Sequence, residues 1–153
     1  MAIELSTAGI LVKYATESTA GTRPTTGYVA IPGVKSIPDM NPEPAQLDVT
    51  PLSETVQHRY IPGLKDPGGA IGLTCNYYAD FVTAWETMMT AYAALTGGKS
   101  LWVEFVIPGM TNSFYFRAVP TELGFGGAEV DSVLEIVAYF TPNSAPVWAT
   151  KST

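Results

Sequence analysis

Three residue types able to act on one another sit in one short stretch: Asp48, Ser53 and His58 fall within eleven residues. A carboxylate, a hydroxyl and an imidazole are the parts of a nucleophilic triad. A working triad needs its members held rigidly by separate elements, whereas these three share a proline-rich segment, and the chain has no G-x-S-x-G elbow. Solvated loop groups are the better reading. Cys75 alternates with Leu73 and Tyr77 on the apolar side of "GAIGLTCNYY", so it reads as a small buried hydrophobe rather than a nucleophile. One cysteine and one histidine allow neither an intrachain disulfide nor a zinc site built from Cys and His alone. "GFGG", Gly124 to Gly127, precedes a strand pattern and lacks the Lys-Ser/Thr of a phosphate loop, so it reads as a tight turn. Glu104, Glu122, Glu129, Asp131 and Glu135 lie on or near strand patterns. Two of them could pair as in a glycosidase, but solvated strand faces account for them. The sequence predicts no enzyme and no cofactor.

Composition narrows the remaining classes. The chain has 153 residues, 46% hydrophobic and only 14% charged, which predicts one domain, 1–153, with a real core and apolar surface left over for another chain. Net charge is −6, and the eight Lys and Arg are dispersed, so no basic footprint for nucleic acid is present. Met1 to Val12 carries Glu4 and lacks a basic start, and no apolar run approaches a membrane span. A soluble product folded in a cytoplasm is the expectation.

Most of these residues lie on or beside strand patterns. "GILVKY" (Gly9 to Tyr14) reads as a first strand and "YVAIPGV" (Tyr28 to Val34) as a second, interrupted by Pro32. In "GAIGLTCNYY", Ile71, Leu73, Cys75 and Tyr77 share one face, and Gly72, Thr74 and Asn76 the other. Phe81, Trp85, Met88, Tyr92 and Leu95 are spaced four, three, four and three, one apolar stripe that predicts a helix over about residues 79–96. Asp80 suits its start, by capping or by the dipole, and Gly97-Gly98 its stop. "LWVEFVI" and "SFYFRAV" read as a hairpin around "PGMTN", with Phe105 opposite Phe116, Val103 opposite Ala118, and Glu104 opposite Arg117. "TELGF" and "EVDSVLEIVAYF" read as another, turning at Gly126-Gly127, and the tail Val147-Trp148 is placed to dock or pair. The predicted fold is mainly β: an antiparallel sandwich or barrel with one packed helix.

Between the strands lies "PDMNPEPAQLDVTPLSETVQHRYIPGLKDPG", Pro38 to Gly68, holding six of the twelve prolines. Together with its flanks it predicts a long loop over about residues 35–68, well beyond the usual length of a structureless connection. Leu47, Val49, Leu52, Val56, Tyr60, Ile61 and Leu64 recur through it and need somewhere to be buried, and His58 and Arg59 lie among them.

"IPGVKSIP" leading into this segment, then "LDVTPLSET", "YIPGLKDPG", "WVEFVIPG…FYFRAVPTELGF" and "EVDSVLEIVAYF", together resemble the major tail tube proteins of long-tailed, non-contractile bacteriophages. The likeness rests on the order and spacing of these motifs over most of the chain. It implies a virion structural protein made in the bacterial host cytoplasm, whose subunits form six-membered rings that stack into a hollow tube. The implied partners are further copies of the chain, the tape-measure protein within, and tail terminator and tail-tip proteins. DNA passes through without specific binding, and no membrane is involved. The resemblance assigns Leu47, Val49, Leu52, Val56, His58, Arg59, Tyr60, Ile61 and Leu64 to an assembly loop between subunits. An acidic product suits a conduit for DNA, with Glu104, Asp131 and Glu135 as candidate lumen-facing groups. A single-ring terminator or head–tail connector of the same fold is the alternative, and a small β-domain hydrolase or binding protein a more distant one.

Overall fold

The chain folds, in a computed structural model that describes residues 4–153, into ten strands and one helix among the described residues. Met1 to Ile3, the start of the stretch read for a secretory signal, lie outside the described residues. In chain order the elements are β1 (Leu11–Thr16), β2 (Val29–Ala30), β3 (Val34–Ser36), β4 (Pro44–Asp48), β5 (Tyr60–Lys65) and β6 (Ile71–Asn76). There follow α1 (Ala79–Ala93), β7 (Leu101–Val106), β8 (Asn112–Pro120), β9 (Glu135–Pro142) and β10 (Val147–Thr150). The fold is mainly β with one packed helix, as the patterns predict. It is one curled sheet rather than two sheets face to face.

The sheet runs β2-β1-β7-β8-β9-β6-β3, with β10 on β8 beyond the end of β9 and all pairings antiparallel. Its two edge strands, β2 and β3, are separated in sequence by only Ile31, Pro32 and Gly33. Such a link spans roughly 13 Å at full stretch, so the sheet must roll until its edges nearly meet. The link holds both rims: Ile31 N–H donates to the Val12 carbonyl on β1 (2.8 Å), and the Gly33 carbonyl accepts from Asn76 N–H on β6 (2.8 Å). The predicted second strand is therefore two short ones on opposite edges, divided where Pro32 has no N–H to give a ladder. The product is a half-barrel with a strapped seam.

One face of the sheet forms the core. Val12, Tyr14, Leu73, Cys75, Leu101, Val103, Phe116 and Phe140 alternate inward and meet Phe81, Trp85 and Met88 of α1. Trp85 packs 5.0 Å from the Phe140 ring, and its Nε1–H donates to the Thr121 carbonyl at 2.9 Å, so burying the indole leaves no orphan donor. Among the described residues no side chain caps the helix N-terminus, so Asp80 acts through the dipole. Gly97 and Gly98, at φ +68° and +77°, take the left-handed turn that ends the segment. Cys75 is fully buried, and burial pushes its thiol up to about 12. On the opposite face of β6, Gly72 is required: a Cβ there would fall 2.5 Å from Val137 Cγ1.

Two pairings differ from expectation. The β7–β8 register places Phe105 opposite Phe114, Val103 opposite Phe116 and Glu104 opposite Tyr115, two residues tighter than predicted. The turn closes early, with Met110 N–H donating to the Ile107 carbonyl and Gly109 at φ +84°. A slip of two preserves the side-chain faces. The predicted core face therefore stands, while the Glu104–Arg117 pair does not form. The predicted "TELGF" strand is likewise absent: past the end of β8 the segment meets β9 through Thr121 N–H, which donates to the Tyr139 carbonyl (3.0 Å), and forms no ladder there.

The other face of β1 and β7 is also covered, by residues 17–28 and the C-terminal residues. Glu17 clamps this layer: Oε2 accepts from Gly21 N–H (2.9 Å) and Ser100 N–H (3.1 Å), and Oε1 from Trp102 Nε1–H (2.8 Å). Burial opposes the Glu17 charge, but these three donors and Arg117 outweigh it and hold the carboxyl below its ordinary value. A depressed carboxyl adds stability that is present above the unfolded value, near pH ~4, and is lost as pH falls through the folded one. Glu17→Gln is expected to cost about 1–3 kcal/mol at pH 7, with the gap to wild type narrowing toward pH 3. Thermal melts across that range check it; parallel acid profiles for the two proteins would rule Glu17 out as the group responsible.

Candidate assembly arm

The stretch predicted to be a loop is an ordered hairpin. β4 and β5 form a separate two-stranded sheet, with Leu47 opposite Ile61 and Asp48 opposite Tyr60. The ladder pairs four residues of each strand, which proline at Pro44 and Pro62 does not prevent because neither edge of the ribbon has a further neighbour among the described residues. A bulge between Pro44 and Gln46 adds twist at the foot. Gly63 keeps its face flat, since a Cβ there would sit 3.2 Å from that of Ala45.

The tip is built from side chains that satisfy the backbone. Thr50 N–H donates to Asp48 Oδ1 (2.9 Å), Arg59 N–H to Thr50 Oγ1 (2.8 Å), and Thr55 and Val56 N–H to Glu54 Oε1 (each 3.1 Å). Arg59 pairs with Glu54 at 2.7 Å. Hydrogen bonds from Thr50 hold the Asp48 carboxyl below its ordinary value, and those from Val56 and Thr55 do the same for Glu54. So stiffened, the arm still buries almost nothing: Leu52 is 106% exposed, Val56 86% and Leu64 91%, with Leu47, Val49, Tyr60 and Ile61 about half exposed. Register puts Leu47 and Ile61 on one face of the ribbon and Tyr60 on the other, so apolar side chains stand exposed on both faces, and such exposure marks an interaction site.

Asp48, Ser53 and His58, the trio considered for nucleophilic chemistry, fall in this tip. His58 Nδ1 lies 3.5 Å from Asp48 Oδ2 and 3.4 Å from Thr50 Oγ1, all in solvent, and Ser53 joins neither among the described residues. No described element encloses a substrate against the trio. No group of three His, Cys, Asp or Glu among the described residues is placed to hold a metal ion, and no described helix is long and apolar enough to cross a membrane.

The three candidate lumen carboxylates have three different settings. Glu104 requires a correction: it is 0% exposed, and its carboxylate accepts from Ser152 Oγ (2.6 Å), Ser152 N–H (3.3 Å) and the Tyr115 hydroxyl (3.3 Å). The C-terminal residues close over it, so it can face no lumen. Glu135 is ion-paired to Lys35 on the neighbouring rim. Asp131 stands exposed on a turn at φ +59°.

Sequence patterns missed two surfaces. Phe125, Val130 and Val133 are 72%, 92% and 68% exposed in the segment wrongly read as a strand hairpin. At the foot of the arm an apolar groove of about 780 Å³ runs between Met40, Leu64 and Lys65 on one side and Phe114, Ala145 and Trp148 on the other. Its one advance signal was the tail Val147-Trp148, expected to dock or pair, which does pair with β8.

No family model matches the chain, and no curated protein does. Among solved structures it is similar to a chain of the cryo-EM structure of the anti-feeding prophage (AFP) baseplate, 6-fold symmetrised. The identity is 9%, the TM-score 0.61, and 98% of each chain is covered. At that identity the likeness is one of fold.

Proposed function

We propose that the chain is a structural subunit of a phage-type tail, whose copies join through the arm into rings, six-membered by resemblance, stacked as a hollow tube for DNA. The tube would enclose a tape-measure protein and end in terminator and tip proteins, as part of the virion. The arm carries this reading: a stiff hairpin with seven apolar side chains in water has a physical purpose only when another surface covers them. An acidic subunit, net charge −6, also suits a conduit, since a wall that repels phosphates does not retain DNA by counterion release. A second reading, a subunit that closes as one ring at a tail terminus or baseplate, is favoured by the similarity to a baseplate chain.

Electron microscopy of the concentrated protein, alone and with tail partners, separates these readings. Stacked tubes are the expected result. Single rings that never stack would favour the second reading, and persistent monomers under every condition would overturn both.

A further inference from the structure

We infer that the groove at the foot of the arm is the receptor for the arm tip of a second copy of this chain. The inference rests on the self-assembly reading and names the surface that reading leaves open. Leu52 and Val56 project from a tip whose backbone is already fixed by the Thr50, Glu54 and Arg59 bonds. Docking such a tip therefore orders little that is not already ordered. The groove has the converse character. Phe114, Trp148, Met40 and Leu64 line it, and its volume of about 780 Å³ lies in the range of built pockets rather than surface creases.

Charge agrees with shape. Lys65 is the one charged residue lining the groove among the described residues, and it has no carboxylate partner among them. The tip, residues 48–59, carries Asp48, Glu54 and Arg59 with His58 neutral, a net charge of −1. A copy cannot fill its own groove: the β4–β5 ladder holds the tip roughly 15 Å from the foot. A protrusion and a complementary pocket at different places on one chain make a heterologous contact, which closes into a ring or propagates as a stack.

Cysteine pairs test it, because Cys75 is buried and does not compete. L52C protein mixed with A145C protein under mild oxidation is expected to give a heterodimer at least tenfold over that formed by L52C with T96C, which lies past the far end of α1. Ala145→Trp, which fills the groove from its rim, is expected to abolish assembly while leaving the Tm within a few degrees. Assemblies that form without the 52–145 cross-link and persist in Ala145→Trp would overturn this contact and leave self-assembly standing. An intrachain link in the L52C/A145C double variant would also overturn it, by showing that the tip reaches its own groove. Monomers throughout, with no cross-link, would remove the contact and the self-assembly reading together.

Discussion

Excising the arm, with Glu43 joined to Asp66 through a Gly-Ser link, is expected to leave a folded monomer that no longer assembles. The cut is feasible because Pro44 and Lys65 are paired across the ladder, so a two-residue turn can close the gap. No core residue is removed: the buried cluster draws on β1, the Ile31 link, β6, α1, β7, β8 and β9, and the nearest partly buried residue is Met40. Loss of the arm should therefore move the thermal midpoint by a few degrees at most. Association should fall by orders of magnitude, since each deleted apolar side chain contributes about 1.5–3 kcal/mol when fully buried at an interface. Circular dichroism and sedimentation of the excised protein read both parts. An unfolded product would make the arm part of the folding unit, and rings or tubes from the folded product would remove it from assembly.

Glu104→Lys is expected to have the largest effect of any single charge change. The substitution takes the acceptor from both Ser152 donors, leaves the Tyr115 hydroxyl only the Thr150 carbonyl (2.7 Å), and brings an ammonium into the layer where Arg23 already lies 4.3 Å from the Tyr115 ring. Breaking a buried charged network in this way costs about 3–5 kcal/mol. For a domain of this size that is a fall in Tm of roughly 6–20 °C. Asp131→Lys, on an exposed turn, should shift Tm by no more than about 2 °C. Thermal melts of the two variants side by side decide the matter: a Glu104→Lys protein that melts with wild type would mean the carboxylate is reached by solvent. Charge reversal as a probe of a lumen is therefore meaningful at Asp131 and not at Glu104.

Both expectations depend on distinctions that local pattern could not draw. Alternation along β6, β7 and β8 names the residues on each face, because side-chain direction in a strand follows parity alone. It cannot say that the second face of β7 is also covered, since the covering segments, residues 17–28 and the C-terminal Ser152, are far away in sequence. Glu104 read as a surface carboxylate for that reason. Register failed in the same way. A shift of two leaves every face unchanged, so the hydrophobic pattern is blind to it and only the turn at Gly109 sets the partners.

The strand-rich class, the helix over Phe81, Trp85 and Met88, the burial of Cys75 and the apolar residues of the arm are all legible in the amino-acid order. All of these follow from periodicity, from composition, or from a residue's nearest neighbours along the chain. The hairpin form of the arm, the strap of Ile31 to Gly33 across the two rims of the sheet, and the groove at the arm's foot emerge only in the folded chain. Each of those depends on segments distant in sequence being brought together. Loop closure and pairing between remote strands are decided by the free energy of the whole chain, which no short window of residues contains.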